Sequence, residues 1–103
     1  MESFNDVIRG NVLTLVDFYA TWCGPCKAMH PILEQVKGVL GDRIRIIKLN
    51  VDTHGATAAQ YNVQAVPTLM LFRNGELLYR TSGAMSKADL LSLLEPFLQQ
   101  RRS

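Results

Sequence analysis

Two cysteines three positions apart, Cys23 and Cys26, stand where an apolar run meets a segment of helical periodicity, and this junction constrains the chain most. Val12 to Ala20 is rich in β-branched and aromatic residues and reads as a buried strand. Beyond the cysteines, Met29, Ile32, Leu33, Val36 and Leu40 recur at helical spacing until Gly41 stops the pattern. The pair therefore opens a helix directly after a strand. There the first N–H groups lack intrahelical acceptors and the macrodipole is positive. A thiolate so placed is stabilised, its pKa falls, and it becomes a nucleophile near neutral pH. The i, i+3 spacing brings the second sulfur within bonding distance of the first. Pro25 suits a first turn, where a missing N–H costs nothing. Gly24 and Pro25 add no charge or imidazole, so the expectation is moderate activation and a reductant rather than a strong oxidant.

Spacing alone leaves other uses open. Cys23, Cys26, His30 and His54 would make a Cys₂His₂ zinc set, but the two histidines lie far outside the usual ligand spacing. Covalent haem needs a histidine directly after the second cysteine, where this chain has Lys27. Two inert buried cysteines are the third alternative. His30, one turn past Cys26, reads as a helix-surface residue and His54 as a loop residue, with no role for either.

The rest of the chain alternates in a βα manner. Ser3 and Asp6 resemble a capping box for a short helix ending near Gly10. Pro31 lies inside the helix after the cysteines and should kink it. Ile44 to Val51 is a second apolar strand ending at Asp52, and a short helix covers Ala56 to Tyr61. Thr68 to Phe72 and Leu77 to Thr81 flank Asn74-Gly75, a strong hairpin signal. Ser86 and Asp89 cap a last helix bearing Leu90, Leu91, Leu93, Leu94, Phe97 and Leu98, which Pro96 should bend or weaken. The expected architecture is a single α/β domain over residues 1–103, with a mixed four-stranded sheet and about four helices on its two faces.

A net charge of +2, with scattered basic residues, argues against nucleic acid and against a polybasic membrane surface. Arg101 and Arg102 read as a frayed tail. No run approaches ~18 apolar residues, so no membrane span is expected. The first residues carry acids and no apolar stretch, unlike a secretory signal, which points to the cytoplasm, where stable structural disulfides are rare.

The stretch Val16-Asp17-Phe18-Tyr19-Ala20-Thr21-Trp22-Cys23-Gly24-Pro25-Cys26-Lys27 closely resembles the active-site segment of the thioredoxin family. The likeness continues through Pro31, Lys48-Leu49-Asn50-Val51-Asp52, Val66-Pro67-Thr68, Phe72-Arg73-Asn74-Gly75 and Ser82-Gly83-Ala84. The resemblance implies a thioredoxin fold whose N-terminal edge strand is missing, leaving four strands rather than five. It implies an attacking, exposed Cys23 and a buried, resolving Cys26, joined as a redox-active disulfide on oxidation. Trp22, Val66, Pro67 and Gly83 become the substrate-binding surface, with a cis bond between Val66 and Pro67. It further implies disulfide-bearing protein substrates, a thioredoxin reductase drawing on NADPH, no bound cofactor or metal, and a monomer. Tyr19 stands where many relatives carry Trp, and Ala65 where bacterial members often carry Gly.

Three supporting residues have a plainer reading beside the functional one. Asp17 is an acid within an apolar strand, either pointing outward or buried with a raised pKa. In the second case it takes the proton of Cys26 as that thiol attacks. Lys48 either modulates Asp17 or is simply solvated. Pro67 either marks a strand start in trans or, as the resemblance implies, turns the Val66 backbone toward the cysteines for pairing with an extended substrate. The expected function is general protein-disulfide reduction. The rivals are a thioredoxin-fold docking subunit of a larger assembly, and a disulfide oxidase or isomerase.

Overall fold

A computed structural model describes residues 3–99, so the Arg101-Arg102 tail lies outside the described residues. Its elements are α1 (Phe4–Ile8), β1 (Leu13–Tyr19), α2 (Gly24–Leu40), β2 (Ile44–Asn50), α3 (Gly55–Gln60), β3 (Thr68–Arg73), β4 (Glu76–Ser82) and α4 (Lys87–Gln99). A turn of 3₁₀ helix, Gly41–Arg43, joins α2 to β2. The described strands form one sheet in the order β2-β1-β3-β4. β1 runs parallel to β2 and antiparallel to β3, and β3 is antiparallel to β4. This is the expected four-stranded mixed sheet, and the element boundaries fall within two residues of those read from the sequence.

Local chemistry accounts for the ends. Ser3 Oγ accepts from the Asp6 N–H at 3.2 Å while Asp6 Oδ2 accepts from the Ser3 N–H at 3.3 Å, the reciprocal capping box. Asn74 and Gly75 both have positive φ, 55° and 81°, and close a two-residue hairpin between Arg73 and Glu76. Ser86 Oγ accepts from the Asp89 N–H at the start of α4.

Both helix-internal prolines lie within continuous helices. α2 runs from Gly24 to Leu40 with Pro31 inside it, and α4 continues past Pro96 to Gln99. A proline removes one intrahelical bond, and a helix held by packing survives that loss. Met29, Leu33 and Val36 of α2, and Leu90 and Leu94 of α4, are buried in one core. Arg73 Nη2 also donates to the Phe97 carbonyl at 2.8 Å, satisfying a helix-end acceptor.

The sheet separates two cores, and strand alternation decides which residue joins which. Leu13 and Leu15 face α2 and α4, whereas Val16 and Phe18 pack with Ile8 of α1 and Ala58 of α3. Asp17 follows Leu13 and Leu15 in the same row, so the alternation directs its side chain toward α2.

Candidate functional site: a helix-capping disulfide and a buried carboxyl

Cys23 is the N-cap residue of α2, and its sulfur accepts from the Cys26 N–H at 3.1 Å. The cap position normally belongs to Ser, Thr, Asp or Asn, whose oxygen satisfies an orphan N–H. Here a sulfur does so, in the positive field of the helix start. Gly24 and Pro25 form the first turn. The two cysteines are joined as a disulfide with their Cα atoms 5.3 Å apart. Cys26 is fully buried, while Cys23 keeps 5% of its surface exposed. The more open of the two is the expected one, although Cys23 is far less exposed than a free thiolate on a surface.

Tyr19, Val51 and Val66, the last from the Val66-Pro67 loop, pack against the small cluster of Ala20 and the two cysteines. The Val66–Pro67 bond is cis, and the Val66 carbonyl oxygen lies 3.7 Å from the Cys23 sulfur. Thr68 Oγ1 donates to the Ala65 carbonyl at 2.6 Å, pinning the loop to the start of β3. The Gly83 N–H donates to the Pro67 carbonyl at 2.9 Å, pinning it to the end of β4. Trp22 is 69% exposed, and its indole N–H donates to Asp52 Oδ2 at 3.1 Å. Asp52 is itself held, its N–H donating to Asn50 Oδ1. A shallow groove beside the disulfide is lined by Trp22, Val51, Val63, Gln64, Ala65 and Val66.

Gly83 has a φ of +98°, a conformation that L side chains rarely adopt, although a Cβ there would meet nothing within 4 Å. Gly83→Ala is therefore expected to leave the groove open and to destabilise by about 1 kcal/mol through backbone strain alone. Urea denaturation measures the loss, and an unchanged midpoint would contradict it.

Asp17 lies on β1, the strand that precedes the cysteines. It is fully buried, and neither carboxyl oxygen has a hydrogen-bond partner among the described residues. Burial pushes its pKa up to about 6, opposed by the charge of Lys48, its register partner on β2. A carboxyl in this state exchanges a proton near neutral pH. Lys48 itself is exposed.

The structure also draws in a residue to which the sequence assigned nothing. His30 Nε2 lies 3.9 Å from Asp17 Oδ2. His30 is one turn beyond Cys26 on α2, and side chains at i and i+4 share a face. Asp17 thus packs against the α2 face that carries Cys26 and His30. The signal available beforehand was that spacing, but the strand-to-helix register that pairs it with Asp17 is a tertiary fact. Asp52 was missed for the same reason, thirty positions from Trp22.

The four residues of the zinc alternative do not converge. Both cysteines are in the disulfide, His30 faces Asp17, and His54 Nδ1 lies 3.1 Å from Thr53 Oγ1. Among the described residues no group of three or more His, Cys, Asp or Glu side chains is placed to hold a metal ion. No described helix is long and apolar enough to cross a membrane.

The thioredoxin family model matches residues 1–96. The chain is 48% identical over 97 residues to the thioredoxin-like protein slr0233 of Synechocystis sp., covering 93% of this chain and 92% of that one. It is 44% identical to the thioredoxin of Acidithiobacillus ferridurans, covering 91% and 88% of the two chains. Identity to the thioredoxin of Staphylococcus saprophyticus is 42%, covering 94% and 92%. A cysteine pair capping a helix after a buried strand, on a four-stranded sheet matched along nearly its whole length, makes this chain a thiol–disulfide oxidoreductase of the thioredoxin family.

Proposed function

We propose that the chain, a single domain acting as a monomer in the cytoplasm, is a general reductant of protein disulfides, reset by a thioredoxin reductase with electrons from NADPH. The observation that carries this reading is the Cys23 sulfur at the helix cap, receiving the Cys26 N–H at 3.1 Å. The same N–H stabilises a Cys23 thiolate once the disulfide is opened. That thiolate attacks a substrate disulfide, forming a mixed disulfide and expelling one substrate thiolate. Cys26 then loses its proton to Asp17 and attacks the Cys23 sulfur, expelling the second substrate thiolate and closing Cys23–Cys26. Two electrons pass from the dithiol to the substrate. Lys48 tunes Asp17 through its charge, and Gly24 and Pro25 keep the first turn free of further thiolate-stabilising groups.

Trp22, Val66, Pro67 and Gly83 form the substrate surface in this reading. An extended segment pairing with loop backbone is held without reading its side chains, which suits a broad substrate range. The reduction potential separates reductant from oxidase or isomerase. Equilibration with glutathione is expected to place the pair below the cytosolic poise of about −220 to −260 mV. A value well above that range would refute the reductant assignment.

A further inference from the structure

We propose that His30 is a positioning residue that carries protons between the buried Asp17 carboxyl and solvent during thiol–disulfide exchange. The inference rests on the proton step between Cys26 and Asp17 proposed above. A buried base that takes one proton per turnover must also discharge it. Asp17 is fully buried and has no hydrogen-bonded neighbour among the described residues through which to do so.

His30 has the geometry of the missing link. Its Nε2 is buried, without a hydrogen-bond partner among the described residues, and lies 3.9 Å from Asp17 Oδ2. The side chain as a whole is 32% exposed. One end of the imidazole therefore meets the carboxyl while the residue reaches the surface. The separation is slightly beyond a hydrogen bond, and catalytic contacts often tighten in the reacting complex. The Tyr19 ring stands edge-on to the imidazole, centroids 5.0 Å apart, and limits its movement.

Asp17 and Tyr19 face His30 from β1, Lys48 from β2 and Glu34 from α2. Burial, then the charge of Lys48, lowers the His30 pKa, against the opposing charge of Glu34. Near pH 7 the ring is therefore neutral, the form that passes a proton on rather than storing it. In the oxidising half-reaction the Cys26 proton goes to Asp17, then to His30, then to solvent. When the disulfide is reduced, a thiolate attacks Cys23 and the Cys23–Cys26 bond breaks. Cys26 leaves as a thiolate and takes a proton from Asp17, which is refilled through His30.

The test is stopped-flow reduction of the oxidised protein by dithiothreitol from about pH 5 to 9, followed through Trp22, the one tryptophan of the chain. Rates are divided by the dithiothreitol thiolate concentration. His30→Gln and His30→Asn are expected to slow the step about fivefold near pH 7. Near pH 5 Asp17 already holds its proton, and the loss should be less than about twofold. In an Asp17→Asn background either substitution should add nothing, because the relay has no partner. Profiles that superimpose on wild type would overturn the proposal, as would an equal slowing in the Asp17→Asn background. Failure of the reductase reading would show separately, as wild-type protein reduced normally by dithiothreitol but unable to turn over protein disulfides.

Discussion

Cys26→Ser is expected to abolish turnover and to leave the chain covalently joined to its substrate through Cys23. Cys23 remains the helix cap in this variant, and the residue 26 N–H that supports its sulfur comes from the backbone, so the first attack survives. The second does not, because serine cannot displace the substrate from the Cys23 sulfur. The rate of product release should fall by about a thousandfold or more, as when the nucleophile of a concerted unit is removed. Non-reducing electrophoresis after mixing with an oxidised protein would show an adduct that dissolves in excess thiol. Continued release by the variant would remove Cys26 from the resolving role. Cys23→Ser, by contrast, should form no adduct, and the contrast between the variants tests their assigned order.

The second large effect concerns Asp17, and it has two opposite signs. Its carboxyl titrates near pH 6 in the folded chain against 3.8 when unperturbed, because burial disfavours the charged form. A folded pKa raised above the unfolded one means that the native state binds more protons between those values. The contribution of Asp17 to stability is therefore greatest below about pH 4, falls as pH rises toward about 6, and is flat above it. The accumulated penalty at neutral pH is on the order of 3 kcal/mol. Asp17→Asn removes the ionisation, so it should stabilise the protein at pH 7 by about 2–3 kcal/mol, less whatever its unpartnered amide costs. It should give little or no gain near pH 4. The same variant should slow resolution about tenfold or more, since the proposed role of Asp17 is that of general base. Urea denaturation at both pH values and rapid-mixing kinetics measure the pair. A variant that is less stable at pH 7, or that resolves at the wild-type rate, would contradict this account of Asp17. Such opposition between stability and activity marks a group retained for chemistry rather than for folding.

Much of this architecture was legible from residues because each signal was local. The Ser3-Asp6 capping box, the Ser86 cap, the Asn74-Gly75 turn and the helical spacing after Cys26 are decided within a few positions, and each element appeared where these placed it. Asp17 sits in a strand that reads as apolar throughout, so sequence left its side-chain direction open. The alternation of Leu13, Leu15 and Asp17 against α2 settled it. Local chemistry predicts a kink at Pro31 and a bend or weakening at Pro96, and both helices continue past their proline, packed on the core. The contacts that shape the site most, Trp22 with Asp52 and Asp17 with His30, join different elements and have no local signature.

Reduction of a protein disulfide coupled to NADPH oxidation, with a thioredoxin reductase present, tests the central claim most directly. The wild-type chain is expected to sustain turnover, and the Cys23→Ser, Cys26→Ser double variant is expected to show none. Loss of NADPH consumption in wild type, or an equal rate in the double variant, would contradict the assignment of the Cys23–Cys26 pair as the working reductant.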